Sequence, residues 1–390
     1  MKIILKENGW TATNRFPEKM NKKPCFAAKP HYDILDGLRG VAALVVIAYH
    51  VFECFDWTPL PHGYLAVDFF FVLSGFVIGY AYDDRWQKGL SIGGFFRRRL
   101  IRLHPMVVLG ALIGMVCFLM QGSMTWNGNH IPFRLVIVAL LFNMCMLPMS
   151  VGARADVRGN GELFPLNGPH WSLFFEYVGN VLYALLLRRL PDKALAAVSV
   201  VTGCLLVGIS VSDGYLGTGW TMADGGFFTG MVRMLFPYSM GMLMARRFRA
   251  GRIKKAFWKC SAVLVAVACV TLLFTQLPSW ANGLYDALCV VIVFPAMVWM
   301  GASASDTSSA TESVSRFLGN LSYPLYAVHY PLMYLFYAYI GFDGNLVPIA
   351  RMHSVWPVAL LLPLACVLLG WMAMRFYDIP VRNWLSKAGH

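Results

Sequence analysis

The sequence predicts an all-α polytopic membrane protein of about ten transmembrane helices plus one short re-entrant or partly inserted helix. Of 390 residues, 58% are hydrophobic and only 14% charged, and the mean hydropathy is +0.57, which no soluble domain of ordinary composition shows. Several uninterrupted apolar runs reach the roughly 20 residues that a spanning helix needs. The basic residues sit in short clusters at the ends of those runs. A net charge of +13 raises the question of nucleic acid, but no single amphipathic or aromatic-interleaved surface gathers that charge. Positive-inside topology explains it, and no nucleic-acid partner is expected. Nine cysteines fall almost entirely inside apolar segments, with neither CxxC nor Cys/His zinc spacing, so they read as small core residues and no metal is expected.

Residues 1–32 are polar and Lys-rich and read as a cytosolic tail, since Ile3, Ile4 and Leu5 are too short a run for a signal-peptide h-region. The first span runs from about Leu38 to Phe55 and leaves the cytosol. Tyr64 to Tyr82 returns, carrying Asp68 near its start, and is followed by the strongest basic cluster: Lys88, Arg97, Arg98, Arg99 and Arg102. Leu103 to Met120 leads outward. Leu135 to Leu147 is too short for a perpendicular span. If it crossed, both Arg188-Arg189 and the stretch Arg246 to Lys255 would lie outside, so it is the partly inserted helix, and 122–170 form one external region. Trp171 to Leu187 goes in, with Ser172 and Glu176 near its outer end. Ala194 to Ile209 goes out, and Gly225 to Met244 comes in with Arg233. Phe257 to Phe274 and Tyr285 to Met300 form a hairpin, followed by a serine-rich loop up to Arg316 that is expected to be flexible. Leu321 to Ile340 and Val358 to Tyr377 are the last spans. Residues 33–380 thus form one transmembrane domain and 381–390 a cytosolic tail, both termini being cytosolic in a multi-pass cell (inner) membrane protein.

The stretch Asp33 to Glu53 organises the rest. Eleven residues separate Arg39 from His50, almost three whole turns, so both share one helix face roughly 16 Å apart. Ionisable groups inside a bilayer are costly and point into a bundle or a wet cavity, or else snorkel to its edges. Arg39, His50, Asp68, Glu176, Arg233 and His329 are spread over five predicted spans, and a bundle interior must pair them, as in a transport pathway or an active site.

The order LDGLRGVAALVVIAYH, VDFFFVLSGFVI, FFRRRLIRLHP, HWSLFFEYVGNVLY, RMLFPYSMGMLMAR and LSYPLYAVHYP resembles the acyltransferase-3 family of integral-membrane acyl and O-acetyl transferases, from Asp33 to the last helix. The resemblance implies transfer of an acyl group, commonly acetyl from acetyl-CoA, to a hydroxyl of a carbohydrate or glycolipid acceptor. It matches the family's Arg and His to Arg39 and His50, its Arg-x-x-Arg to Arg99 and Arg102, its Trp-Ser-Leu-x-x-Glu to Trp171, Ser172 and Glu176, and its late histidine motif to Tyr323 and His329. Arginine binds phosphate oxygens in a fork, so Arg99 and Arg102, with Arg98 beside them, suit the CoA phosphates, while a topology anchor explains Arg97 and Arg98 equally well. His50 suits activation of the acceptor hydroxyl, as base or as covalent carrier, with Glu176 or the rival Glu53 orienting it. Arg39 is expected to contact the donor from below, and Asp68 with Arg233 to pair across the core. A transporter or flippase pathway is the alternative function that such charges allow. Neither the acceptor nor the oligomeric state is written in the sequence.

Overall fold

The computed structural model describes residues 31–150, 152–249, 278–303 and 309–387, and the account below concerns the chain from Tyr32 onward. Among the described residues the fold is all-helical, with only isolated β-bridges. The helices are α1 (Asp33–Phe52), α2 (Ala66–Gln87), α3 (Ile92–Met120), α4 (Phe133–Met144), α5 (His170–Leu185), α6 (Asp192–Asp213), α7 (Gly226–Arg249), α8 (Ser279–Ser303), α9 (Ser309–Val328), α10 (Tyr330–Ile340), α11 (Met352–Met372) and α12 (Ile379–Lys387). Among the described residues, six helical stretches are long and apolar enough to cross a membrane: α1, Gly63–Gln87, α3, α6, α8 and Ile349–Lys387. The predicted span Phe257 to Phe274 lies outside the described residues.

Helix α4 has 12 residues, about 18 Å against the roughly 30 Å of a hydrocarbon core, in keeping with the short apolar run read from sequence. Helix α5 has 16 residues and ends in a tight turn at Leu187–Arg189. The expected span Leu321 to Ile340 is not one continuous helix. It breaks at His329, between α9 and α10, because Pro331 stands in the first turn of α10 and supplies no N–H to a helix running through from α9. A second correction concerns the serine-rich segment. From Ser309 onward it is helical, not a loop, since α9 carries Glu312 and Arg316 one turn apart, with Arg316 also 2.7 Å from Asp33.

Close backbone approach at glycine sets the packing. Helices α2 and α7 cross where Gly75 faces Tyr238 and Gly241 faces Val72, so tightly that a Cβ on Gly75 would lie 2.0 Å from the Tyr238 carbonyl oxygen. Helix α1 lies along α9 in the same way, through Gly37, Gly40 and Gly319. Small residues at such crossings bring backbones together when lipid supplies no hydrophobic drive.

Candidate functional site

Two cavities lie back to back in the bundle and share Val67 and Tyr326 as lining residues. The first, of about 160 Å³, is lined by Arg39, Arg99, Arg102, Ser172, Glu176 and Tyr323 among others. The second, of about 290 Å³, is lined by His50, Glu53, Glu162, Trp171, Arg233 and Tyr330 among others. Arg39 and His50, placed on one face of α1 by their spacing, therefore open into different cavities.

In the first cavity, Arg39 donates from Nε to Ser322 Oγ at 2.8 Å and from Nη2 to the Gly319 carbonyl at 2.5 Å, and it lies 2.9 Å from Asp36. Arg99 and Arg102 share a face of α3 at i, i+3. Arg99 donates to Glu176 Oε1 at 2.8 Å and to Asn180 Oδ1 at 3.0 Å, and Ser74 also donates to Glu176 at 3.0 Å. Arg102 makes no hydrogen bond or ion pair among the described residues, and its guanidinium stands 5.7 Å from the centre of the Tyr323 ring. The Tyr323 hydroxyl donates to the Leu103 carbonyl at 2.5 Å. Arg98, expected to join Arg99 and Arg102, is exposed and lines neither cavity, because it stands about 100° round the helix from Arg99.

The pairing of Glu176 with His50 is not what the structure shows. Glu176 is four residues beyond Ser172, about 6 Å deeper along α5, and belongs to the arginine cavity. The acid beside His50 is Glu53, one turn on, with its Oε2 2.8 Å from His50 Nδ1. That contact is short, but the carboxylate lies off the ring N–H direction, so Nδ1 has no directed hydrogen bond. Glu53 Oε1 accepts from Tyr330 at 2.9 Å and Tyr337 at 2.7 Å, and Tyr337 also donates to the His50 carbonyl at 2.5 Å.

His329, fully buried, stacks on His50 with ring centres 5.4 Å apart and 28° between planes. Its Nδ1 lies 2.8 Å from the Tyr326 carbonyl. A carbonyl only accepts, so this nitrogen carries the proton and Nε2, unpartnered among the described residues, is the acceptor. Between the cavities, Ser172 Oγ and Tyr326 OH share a 2.6 Å hydrogen bond.

Asp68 and Arg233 form the expected pair. Both are buried, Nη2 to Oδ2 is 2.5 Å and Nε to Oδ1 is 3.1 Å, a two-pronged contact across α2 and α7. Arg233 also donates to the Thr218 carbonyl at 2.5 Å and lies 5.2 Å from the Trp171 ring centre.

Sequence reasoning passed over the outer end of the second cavity. In the loop between α4 and α5, buried Glu162 accepts from Asn160 at 2.8 Å and from Tyr334. Burial pushes its carboxyl up to about 7. Arg158 packs 3.7 Å from the centre of the Tyr334 ring and donates to Gln121 at 2.6 Å. Tyr330, Tyr334 and Tyr337 follow helical i, i+4, i+7 spacing, a stripe that the sequence displays but that reads as ordinary core.

No group of His, Cys, Asp or Glu suited to a metal ion occurs among the described residues. The acyltransferase domain family matches residues 32–375. The chain is 38% identical over 186 residues, 45% of its length, to "Protein 2 in picA locus" of Rhizobium radiobacter, covering 92% of that protein. It is 23% identical over 371 residues, 91% of its length, to the O-acetyltransferase OatA of Staphylococcus aureus (strain NCTC 8325 / PS 47), covering 58% of that protein. It is 43% identical over 75 residues, 19% of its length, to the peptidoglycan O-acetyltransferase OatA of Listeria monocytogenes, covering 11% of that protein. No solved structure matches the chain. With 344 consecutive residues under the family match and apolar helices of spanning length, the chain belongs to the acyltransferase-3 family of membrane acyltransferases.

Proposed function

We propose that this protein moves an acyl group, acetyl first among them, from acyl-CoA to a hydroxyl of an extracytoplasmic carbohydrate or glycolipid acceptor. The observation that carries this reading is the pair of cavities meeting at Val67 and Tyr326, one lined by arginines and the other by His50. Acetyl transfer and a cell-envelope sugar as acceptor are suggested by the names of the OatA relatives.

In this reading the donor sits in the arginine cavity, with Arg102 the first ligand for phosphate because no carboxylate is hydrogen-bonded to it among the described residues, Asp378 acting on it only at a distance. Arg99 joins it by exchanging Glu176 for a phosphate oxygen, and Arg39 faces the arm beyond. The acceptor hydroxyl stands at His50. Glu53, braced by Tyr330 and Tyr337, favours the tautomer with the proton on Nδ1 and leaves Nε2 as base. The hydroxyl oxygen attacks the thioester carbonyl as Nε2 takes its proton. The new ester C–O bond forms, the C–S bond breaks, and the imidazolium proton passes to the departing CoA sulfur. Trp171, Ser172 and Tyr323 line the two cavities, His329 backs the His50 ring, and Asp68 with Arg233 holds α2 to α7. The topology that goes with this is ten spans within 33–380, with cytosolic segments 1–32 and 381–390 and the arginine end facing the cytosol of an inner-membrane protein.

The test is release of CoA from acetyl-CoA by purified protein in nanodiscs, with acetyl-CoA binding measured alongside. His50→Ala is expected to bind acetyl-CoA like the parent and to lose about 10²- to 10⁴-fold in turnover. A parent that neither binds nor turns over acyl-CoA would overturn the reading in favour of a carrier. His50→Ala turning over at the parent rate would remove the base.

A further inference from the structure

The second cavity extends well past His50, and its outer part is built unlike the inner. Three separate loops and α10 converge there: Trp126 after α3, Asn160 and Glu162 before α5, Trp220 before α7, and Tyr334 on α10. The pieces are fastened together. Leu163 N donates to the Trp220 carbonyl at 2.8 Å, Trp126 N donates to the Arg158 carbonyl at 3.1 Å, and Gly168 N donates to the Tyr334 hydroxyl at 3.1 Å. Trp126 and Tyr334 lie 5.9 Å apart, centre to centre. Trp220 is 37% exposed, a large aromatic surface left open at the edge of a polar loop region.

The polar groups of this wall are a carboxyl and an amide. Each Glu162 oxygen accepts one hydrogen bond, from Asn160 or from Tyr334, and each retains a second lone pair. Of the cations nearby, Arg233 is paired and Arg158, whose Nη2 has no hydrogen-bond partner among the described residues, does not line the cavity. Arg233 is held by Asp68, and Arg158 is enclosed by the Phe118, Trp126 and Tyr334 rings at 4.9, 5.1 and 3.7 Å from their centres. An anion entering this space meets Glu162, ionised as pH rises above about 7, and then Glu53, while Arg158 lies behind its aromatic rings, and like charges in a partly dry site repel. Flat aromatic surface beside acceptors of hydroxyl protons suits a ring with C–H faces and O–H edges.

We propose that the outer part of the His50 cavity is a binding subsite for an uncharged sugar ring, packed against Trp126 and Trp220 with its hydroxyls donating to Glu162 and Asn160, and that it disfavours acidic sugars. This rests on the acyl-transfer reading above and gives its acceptor a chemical class.

The experiment measures binding of neutral tetrasaccharides of glucose, galactose, mannose and N-acetylglucosamine, and of acidic tetragalacturonate, to the full chain in nanodiscs by titration calorimetry. Acetyl-CoA binding is recorded on the same samples. At least one neutral probe is expected to bind about tenfold or more tighter than tetragalacturonate. Trp220→Ala and Glu162→Gln each weaken that probe by about tenfold, the equivalent of 1.4 kcal/mol. Trp57→Ala, an exposed tryptophan that does not line the cavity, leaves it unchanged, and thermal melting confirms that each variant is folded. The subsite is overturned if no neutral probe binds, if tetragalacturonate binds equally well, or if folded Trp220→Ala and Glu162→Gln bind like the parent. Loss of the subsite with acetyl-CoA binding intact leaves the acyl-transfer reading standing. Sugar binding without acetyl-CoA binding supports the subsite and removes that reading.

Discussion

Asp68→Asn tests how the bundle is held together. The substitution keeps the shape of the side chain and one acceptor oxygen but removes the carboxylate charge, leaving the fully buried Arg233 guanidinium with neutral acceptors, among them the Thr218 and Tyr64 carbonyls, and the face of Trp171. A guanidinium cannot shed its charge, whereas an aspartic acid can be neutral. Breaking a buried pair from the acid side therefore costs about 3–5 kcal/mol. At roughly 2.1 cal/mol/K per residue, a chain of 390 residues has an unfolding entropy of about 0.8 kcal/mol/K, so the loss corresponds to about 4–6 °C in Tm. Tryptophan fluorescence during heating in detergent reads this directly. The double variant Asp68→Leu with Arg233→Met removes the uncompensated charge and is expected to recover to within about 1 kcal/mol of the parent. A drop of less than about 1 °C in Asp68→Asn, or a double variant as unstable as the sum of its singles, would refute the argument.

Glu162 gives stability a pH dependence of definite sign. Its folded value of about 7 lies above the ordinary 4.5, so the folded state holds the extra proton. The contribution is complete below pH 4.5 and is lost as pH rises through 7, amounting to roughly 3 kcal/mol. Glu162→Gln removes this slope, which unfolding measured from pH 4.5 to 8 checks. Gly75→Ala places a methyl 2.0 Å from the Tyr238 carbonyl oxygen. It is expected to force α2 from α7 and cost more than about 3 kcal/mol by overpacking; parent-like melting would contradict the crossing. Arg102→Ala is expected to weaken acetyl-CoA binding about 10- to 100-fold, with no rescue by Glu176→Gln. Arg99→Ala also weakens it, but here Glu176→Gln restores most of the affinity, because the bared carboxylate was repelling phosphate. Calorimetry giving the same response for both arginines would refute the difference in pairing.

The helical class and the single-face placement of Arg39 and His50 follow from period and hydropathy, and both were legible in sequence. The acid beside His50 was half legible. Glu53 stands at i+3 and is a local fact, but choosing it over Glu176 requires knowing how deep α5 sits, which the turn after Pro169 decides. Asp68 and Arg233 were visible as two buried charges of opposite sign. Their contact depends on a crossing at Gly75 and Gly241 that no spacing in either helix specifies. The break at His329 had a signal in Pro331, outweighed in the hydropathy pattern by the continuous apolar run. Glu162 gave none: one carboxylate in a glycine-rich loop looks solvated until three loops and α10 close over it.

The arrangement of charge also bears on why there are two cavities. Arginines and carboxylates sharing one dry space neutralise each other, as Arg233 and Asp68 do, and are then unavailable to a ligand. Here the arginines of the first cavity, Arg39, Arg99 and Arg102, outnumber its one lining carboxylate, Glu176, and in the second cavity Glu53 and Glu162 outnumber Arg233, which Asp68 already holds, with Val67 and Tyr326 standing between. That wall is thin. The Tyr326 hydroxyl is held by Ser172 at 2.6 Å and its ring rests edge-on against Phe70, 5.6 Å centre to centre. Releasing one neutral hydrogen bond costs about 1 kcal/mol, small beside the barrier of acyl transfer. In the proposed reaction Tyr326 stands between the thioester and His50 and has to turn aside for transfer, while the phosphates stay with the arginines that bind them.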